Sequence, residues 1–383
     1  MDEVVRYTYR LRPGRTAEKV LLAEWDRCRW LWNEAVHQHK SGRKPTFARL
    51  GKLLTRARAS MPWLREGSQV AQQQILRDYA RALEHSFTVK GCGRPKVKSR
   101  KRSLPSLEYT RRGFSVREGR LMLPKGIVIP VVWSRELPCE PTSVRVNRDS
   151  LGYWYASFVA RREIAAPPPG EGGIGIDWGV ATTATTSDPA FDLPHIGHRR
   201  RCAAELAKVQ RRMARRHRKG RPPSRGYADA KRQAARLAKK AARRTVHDSR
   251  VWAKHVVDRH DLIAIEDFQP AFLAKSTMAR KAADAAIGAA KGALIERAVR
   301  AGRKVVMVRP AYTTMTCSAC FARAKERLEL RERDFRCEGC GFAASRDRNA
   351  ARVVLAVAER GHVGVEDVRQ SDHLLRVGGS VAV

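Results

Sequence analysis

Two CxxC pairs, Cys317-Ser318-Ala319-Cys320 and Cys337-Glu338-Gly339-Cys340, lie 16 residues apart, and no other local feature narrows the possible folds as far. Two such pairs supply four thiolates, the ligand set of a closed tetrahedral zinc site. Gly339 and Gly341 suit the tight turns of a cysteine knuckle. A redox role would account for one CxxC but poorly for two at this spacing. Four thiolates leave no open coordination position. One structural Zn²⁺ is therefore expected, held by Cys317, Cys320, Cys337 and Cys340. The other four of the eight cysteines (Cys28, Cys92, Cys139 and Cys202) are scattered, which is no disulfide framework and reads as a reducing cytoplasm.

The charge narrows the partners. Across 383 residues, 77 Lys and Arg face 38 Asp and Glu, a net charge of +39. Such a charge repels itself strongly and is sustained mainly where a polyanion neutralises it. Nucleic acid is the leading partner; a membrane surface fits less well, because the basic residues run the whole length instead of forming one block. A hydrophobic content of 43% supplies real cores, and at about 150 residues per domain the length suggests two or three domains. The start, Met1 to Arg6, lacks a basic n-region followed by an apolar run, and no stretch approaches ~18 apolar residues, so neither a leader nor a membrane span is expected.

Residues 4–12 alternate bulky and polar positions, as a strand does. From Thr16 to His39, Val20, Leu21, Trp25, Cys28, Leu31, Trp32 and Val36 recur at helical spacing, and the Trp25/Trp30/Trp32 set reads as helix packing more than as base stacking. A second helix is predicted over 68–89, followed by a basic Gly/Pro-punctuated loop at 90–102. Strand-like segments at 105–116, 120–131, 142–148 and 153–162 would join the first strand in a β-barrel, with the helices inserted between them. The run Ala165 to Gly170 marks a domain boundary. Beyond it, Ile174 to Val180 and Leu262 to Asp267 read as short apolar strands, 278–301 as a helix and 303–309 as a strand. Residues 198–246 hold 19 Lys and Arg against two acids, read as two basic helices joined at Gly220-Arg221-Pro222-Pro223. That excess exceeds what solubility needs and points to phosphate contact.

Three acids sit where an unpaired carboxylate is costly or finely placed. Asp177 lies in the first apolar strand, Glu266 ends the second opposite in facing to Ile263 and Ile265, and Asp347 opens a helix in Ser345-Arg346-Asp347-Arg348-Asn349-Ala350-Ala351. Three converging acids would hold two Mg²⁺, one activating water and one stabilising the leaving oxygen of a phosphodiester. Each also has a plainer reading: a turn residue, an arginine partner, a helix-start acid. Spacing alone does not bring them together.

The ordered set Gly175-Ile176-Asp177-Trp178-Gly179-Val180, Ile265-Glu266-Asp267-Phe268, the double CxxC and Arg346 to Ala351 resembles the TnpB family, RNA-guided nucleases of insertion sequences related to type V CRISPR effectors. Tyr9-Arg10-Leu11-Arg12-Pro13, Cys28 to Asn33, Gly93 to Lys98 and Leu123-Pro124-Lys125-Gly126 resemble that family's amino-terminal pattern, so the likeness covers about residues 4–358. The resemblance implies an α+β multidomain fold: a wedge β-barrel (1–15 and 103–165), a helical recognition domain (16–102), a RuvC-like, RNase H-like nuclease domain (171–311 and 345–360), a zinc-binding insertion (312–344) and a mobile tail (361–383). It implies a metal-binding triad of Asp177, Glu266 and Asp347, with two Mg²⁺, one Zn²⁺ and a guide RNA. Double-stranded and single-stranded target DNA would be the partners of a monomer on one RNA, in a prokaryotic cytoplasm at the nucleoid, with no membrane. Gln73, Gln74 and Arg77 on the recognition helix, Lys96 and Lys98 in the basic loop, and Arg211, Arg212, Arg215 and Arg216 are the candidate nucleic-acid contacts, although a polar helix face explains the two glutamines equally well. Two positions depart from the family pattern: Trp178 stands where leucine is commoner, and Ser345 replaces the first aspartate of an Asp-Arg-Asp run. A compact CRISPR effector, a nuclease-inactive guided regulator that would need the acids lost, and a true transposase working without a guide are the competing readings.

Overall fold

The computed structural model describes residues 2–40, 46–100, 102–163, 168–269, 276–324 and 332–360, and the statements below concern these. The expected mobile tail at 361–383 and residues 325–331 of the expected zinc insertion lie outside them. The chain divides into two compact units, residues 1–165 and 166–383.

The first unit begins with β1 (Asp2–Leu11) and four helices: α1 (Arg15–Lys40), α2 (Phe47–Ser60), α3 (Pro62–Arg65) and α4 (Gln69–Thr88). Six strands follow: β2 (Ser106–Thr110), β3 (Ser115–Arg117), β4 (Arg120–Leu123), β5 (Ile127–Val132), β6 (Ser143–Arg148) and β7 (Trp154–Glu163). The segment read as one strand over 120–131 is a hairpin, because Lys125 and Gly126 take φ of 66° and 72° and turn the chain. The seven strands form one antiparallel sheet in the order β2-β6-β7-β1-β5-β4-β3. β1 pairs with β7 along its whole length but meets β5 only at Arg10↔Val132 and Leu11↔Val131.

The sequence reading is a β-barrel; the sheet is a half-barrel whose edge strands β2 and β3 do not meet among the described residues. Helices complete the core in place of closing strands. Tyr109, Val144, Val146 and Phe158 share one apolar cluster with Leu21, Cys28 and Leu31 of α1 and with Ile75 and Leu76 of α4. Trp25 and Trp32 are buried there too, as helix packing requires. Ser68 caps α4 by accepting from the Ala71 amide at 3.4 Å. Arg145 of β6 then fastens α4 to the sheet, donating to both Asp78 oxygens (2.9 and 3.2 Å) and to Glu108 of β2.

The second unit runs β8 (Gly173–Trp178), β9 (Thr182–Thr186), β10 (Leu193–Pro194), α5 (His198–Arg201), α6 (Ala203–Arg216), α7 (Arg225–Arg259), β11 (Leu262–Glu266), α8 (Ala279–Ala285), α9 (Ile287–Arg300), β12 (Lys304–Val308), β13 (Asp334–Arg336), β14 (Ala343–Ser345) and α10 (Arg346–Arg360). Its five-stranded sheet has the order β10-β9-β8-β11-β12; β9 is antiparallel to β8 and β10, while β8, β11 and β12 are parallel. Successive side chains of a strand point to opposite faces. Ile174, Ile176, Ile263 and Ile265 pack against Trp252, Val256 and Val257 of α7 and Leu294 of α9. On the other face, Ala264 and Val308 pack against Val353, Val354 and Val357 of α10.

β8 presents glycine to α10. A Cβ built on Gly175 would overlap the Ala351 carbonyl oxygen, and one on Gly173 would stand 2.7 Å from the Leu355 side chain. Helix and strand thus touch backbone to backbone. Among the described residues, no helix is long and apolar enough to cross a membrane.

Gly175→Ala should therefore destabilise the fold by roughly 1–3 kcal/mol or more. Gly292→Ala, in an exposed part of α9 with nothing within 4 Å, should stabilise it by up to about 1 kcal/mol. Urea midpoints of both variants check the pair, and equal, small shifts would show that the packing against α10 is slack.

Candidate metal centres

Alternation along β8 places Asp177 on the same face as Gly173 and Gly175, toward α10. On β11 the same rule puts Glu266 with Leu262 and Ala264, also toward α10. The strands are parallel neighbours, and the Trp178 indole N–H donates to the Glu266 carbonyl at 3.2 Å, which holds their ends in register. Both acids are buried, Asp177 at 8% exposure and Glu266 at 6%. Burial pushes the Asp177 carboxyl well above its ordinary range, helped by the Glu266 and Asp347 charges beside it. Burial also raises Glu266, to about 7, against the hydrogen bonds it accepts from Asp177 and Thr313. Two carboxylates this close share a proton unless a cation replaces it.

Asp347 comes from the first turn of α10 and is half-buried. Its charge helps to raise the Asp177 carboxyl. Its own partners are loose: Arg333 and Arg346 both stand 3.6 Å away. The two following residues are held firmly. Arg348 makes a two-pronged pair with Asp192 (2.9 and 2.7 Å) and donates to the Thr186 carbonyl. Asn349, fully buried, donates to the Thr316 carbonyl at 2.7 Å and accepts from the Ser318 amide at 2.9 Å. Ser345 is exposed at the end of β14.

The structure gathers all four cysteines. Their sulfurs lie within 4.8 Å of one another, with Cys317–Cys340 at 3.7 Å and Cys320–Cys337 at 3.5 Å. Four sulfurs about 2.3 Å from a central zinc stand about 3.8 Å apart on a tetrahedron, so the cluster fits that ion as it stands. Both knuckles close with backbone bonds, Phe321 N–H to Cys317 and Gly341 N–H to Cys337, and Gly341 takes a φ of 72° to do so. The Cys340 amide pulls the Cys337 thiol down to about 7. Cys340 is pushed up to about 12: the Phe342 amide favours its thiolate, but the crowding thiols, Cys320 first, outweigh it. Among the described residues this cluster is the one whose ligand atoms are drawn together tightly enough for a metal; the three carboxylates are looser.

The candidate nucleic-acid contacts separate by exposure. Gln73 and Arg77, four residues apart, share the exposed face of α4, whereas Gln74 is buried at 8% exposure, next to buried Ile75 and Leu76. Lys96 is exposed. Lys98 is half-buried with its ammonium 3.9 Å from the Trp32 ring centroid, and burial lowers its pKa. Its backbone is clasped by Asn33 (2.7 and 3.1 Å), so Lys98 anchors the basic loop. Arg211, Arg212, Arg215 and Arg216 are all exposed on α6. Arg212 reaches Gln233 at 3.4 Å and Arg216 the Gly226 carbonyl at 2.9 Å, bracing α6 to α7.

The chain resembles known proteins along nearly all its length. A Streptomyces pristinaespiralis protein named "Putative RNA-guided DNA endonuclease" is 30% identical over 398 residues, spanning 99% of this chain and 96% of the relative. The chain belongs to the TnpB family. The Escherichia coli (strain K12) relative named "Putative RNA-guided DNA endonuclease InsQ" is 27% identical over 384 residues, 93% of this chain and 92% of that one. Two family profiles match within the TnpB chain: OrfB_IS605, "Probable transposase", over residues 147–277, and "Cas12f1-like, TNB domain" over 290–354. The second covers the cysteine cluster and Asp347. The fold is shared with the solved Cas12f1–sgRNA–target DNA complex, at a TM-score of 0.50 and 13% identity over 92% of this chain and 98% of that one.

Residues around the acids that sequence reading does not single out are Thr313, whose hydroxyl reaches Glu266 at 3.4 Å, and Lys291, which pairs with Asp267 at 3.3 Å. No spacing signal marks either. The raised Glu266 carboxyl has a consequence for the metal-free protein. The folded state keeps a proton that the unfolded chain releases, so this contribution is fully present below the unfolded pKa of 4.5 and is lost as pH rises through about 7. In chelator, Glu266→Gln should match the unmutated chain at about pH 4 and exceed its stability at about pH 8. Urea unfolding at both pH values tests this; an unchanged difference between them would mean that Glu266 ionises freely in the fold.

Proposed function

We propose that the chain is an RNA-guided DNA endonuclease, associated with a transposon, that cleaves target DNA beside a short flanking motif. The observation that carries this reading is the buried Asp177–Glu266 pair on adjacent strands, with Asp347 at the start of α10 near enough for its charge to raise Asp177. Three oxygen donors of this kind suit hard divalent cations. Asp177, Glu266 and Asp347 would hold two Mg²⁺, which when bound activate water and stabilise the leaving oxygen of a phosphodiester. Around them the chain's own groups position the acids: Thr313 orients a Glu266 oxygen, Lys291 holds Asp267, and Arg348 fixes the α10 turn. The five-stranded sheet, with one antiparallel flank and one parallel flank, supports assignment of 171–311 and 345–360 as a RuvC-like, RNase H-like nuclease domain. The Cys₄ segment, 312–344, would be its structural zinc insertion.

In the same reading, residues 1–15 and 103–165 form the wedge domain and 16–102 the helical recognition domain, with Gln73 and Arg77 turned toward a partner. A structured guide RNA would be held through phosphates, and its base pairing with one DNA strand would supply sequence specificity. The OrfB_IS605 match, "Probable transposase", favours a transposon-encoded protein over a CRISPR effector. All three acids are present, against a nuclease-inactive regulator.

Sequencing the RNA that copurifies with the protein, expressed with its native flanking DNA, is expected to give one discrete species ending in a variable segment. With that RNA, Asp177→Ala should abolish metal-dependent cleavage of matched DNA and leave guided binding intact. Cleavage by this variant at the unmutated rate would sink the triad; a heterogeneous RNA mixture would sink guided recognition. Replacing Arg211, Arg212, Arg215 and Arg216 with Ala should weaken RNA binding and flatten its salt dependence, by up to about 0.7–0.9 log units for each phosphate no longer neutralised. An unchanged slope would remove α6 from the interface.

A further inference from the structure

We propose that Asn349 is a positioning residue that ties the first turn of α10 to the cysteine cluster, so that the thiolate metal determines where Asp347 stands; this rests on the reading of Asp177, Glu266 and Asp347 as a metal triad. The starting point is what Asp347 lacks. Its two arginine neighbours at 3.6 Å are too distant to orient a carboxylate by hydrogen bonds, so its place is set by the helix turn that carries it. That turn is fixed on two sides by the next two residues. Arg348 anchors it to Asp192 and β9. Asn349 anchors it to the knuckle, through the carbonyl of Thr316 and the amide of Ser318, the two residues that flank Cys317.

Asparagine near a helix start ordinarily uses its side chain on its own helix's free amides. Asn349 instead gives both ends of a fully buried amide to another segment, one as donor and one as acceptor. That pairing fixes the orientation of the side chain: aspartate has no donor for Thr316, serine is too short to span both groups, and alanine leaves both unmet. Cys317 is itself fully buried, with its sulfur 3.7 Å from that of Cys340. Whatever holds the four sulfurs in place therefore holds the Thr316–Ser318 backbone, and through Asn349 the turn bearing Asp347. The zinc ligands and the acid triad become one mechanical unit, with Asn349 as the link.

The test uses the full-length chain. Mn²⁺ binding at the triad, read from the Mn²⁺ electron paramagnetic resonance signal, is expected to weaken about 10- to 100-fold in Asn349→Ala while zinc content per chain stays unchanged. Hydrogen exchange across residues 346–350 of the unmutated chain should quicken when zinc is chelated. In Asn349→Ala it should already be quick, with chelation adding nothing. Unaltered Mn²⁺ affinity in Asn349→Ala, or exchange in α10 indifferent to zinc removal, overturns the proposal. If Asn349→Ala does not fold, the chelation experiment on the unmutated chain decides alone. Asp177→Ala separates the two readings: Mn²⁺ binding that survives in that variant defeats the triad assignment, whereas its loss there with full retention in Asn349→Ala defeats only the link.

Discussion

The backbone contact between α10 and β8 is the constraint on which the second unit depends. Because Gly173 and Gly175 carry no side chain, the helix lies against the strand with the Ala351 carbonyl where a Cβ would otherwise be. Every residue of the helix start is thereby drawn close to the sheet. Asp347 comes within electrostatic range of Asp177, Arg348 reaches Asp192, and Asn349 reaches the cysteine knuckle. A bulkier strand would push all three outward together. The two glycines are therefore as much a part of the candidate site as the acids, though glycine offers no ligand.

The two candidate centres solve opposite electrostatic problems. Cys317 and Cys337 are buried and Cys320 and Cys340 exposed; backbone amides favour ionisation of Cys337 and crowding opposes it at Cys340, and a single cation would settle both. Asp177 and Glu266 are inside, where burial itself is the main cost and raises both carboxyls. A closed set of four thiolates around an ion would complete a fold. The acids keep a looser geometry, with Asp347 half-buried, which would suit a centre open to a substrate.

How much could be read in advance varied with the physics of each element. Helices α1 and α4 announce themselves because Leu21, Trp25, Cys28 and Leu31, or Ala71, Ile75 and Leu76, repeat at helical spacing and all go to one core. The alternation Gly173-Ile174-Gly175-Ile176-Asp177 is visible in the chain, but its meaning needs the partner helix, which arrives about 170 residues later. The break at Ala286 has no local sign, since alanine is the best helix former. There φ is 56°, and the Thr183 hydroxyl captures the Ala285 carbonyl at 3.0 Å in place of a continuing helix bond. The half-barrel differs from the expected barrel for a similar reason: strand-like segments tell nothing of whether helices or strands will cover their buried face. Gln73 and Gln74 are adjacent in sequence and opposite in environment, a difference only the packing of α4 reveals.

The long helix α7 carries a thermodynamic debt along its first half. Arg232, Arg236 and Lys240 follow one another at four-residue steps, each pair repelling by about 0.2–0.5 kcal/mol. The apolar anchors Trp252, Val256 and Val257 lie near the far end, and the hairpin with α6 buries little beyond Val209, Ala230 and Ala241. A polyanion lying on this hairpin, as the proposed function has it, would supply the counter-charge that its sequence withholds. Ligand affinity and local folding free energy would then be one quantity measured two ways, and the rigidity of the hairpin would belong to the complex more than to the chain.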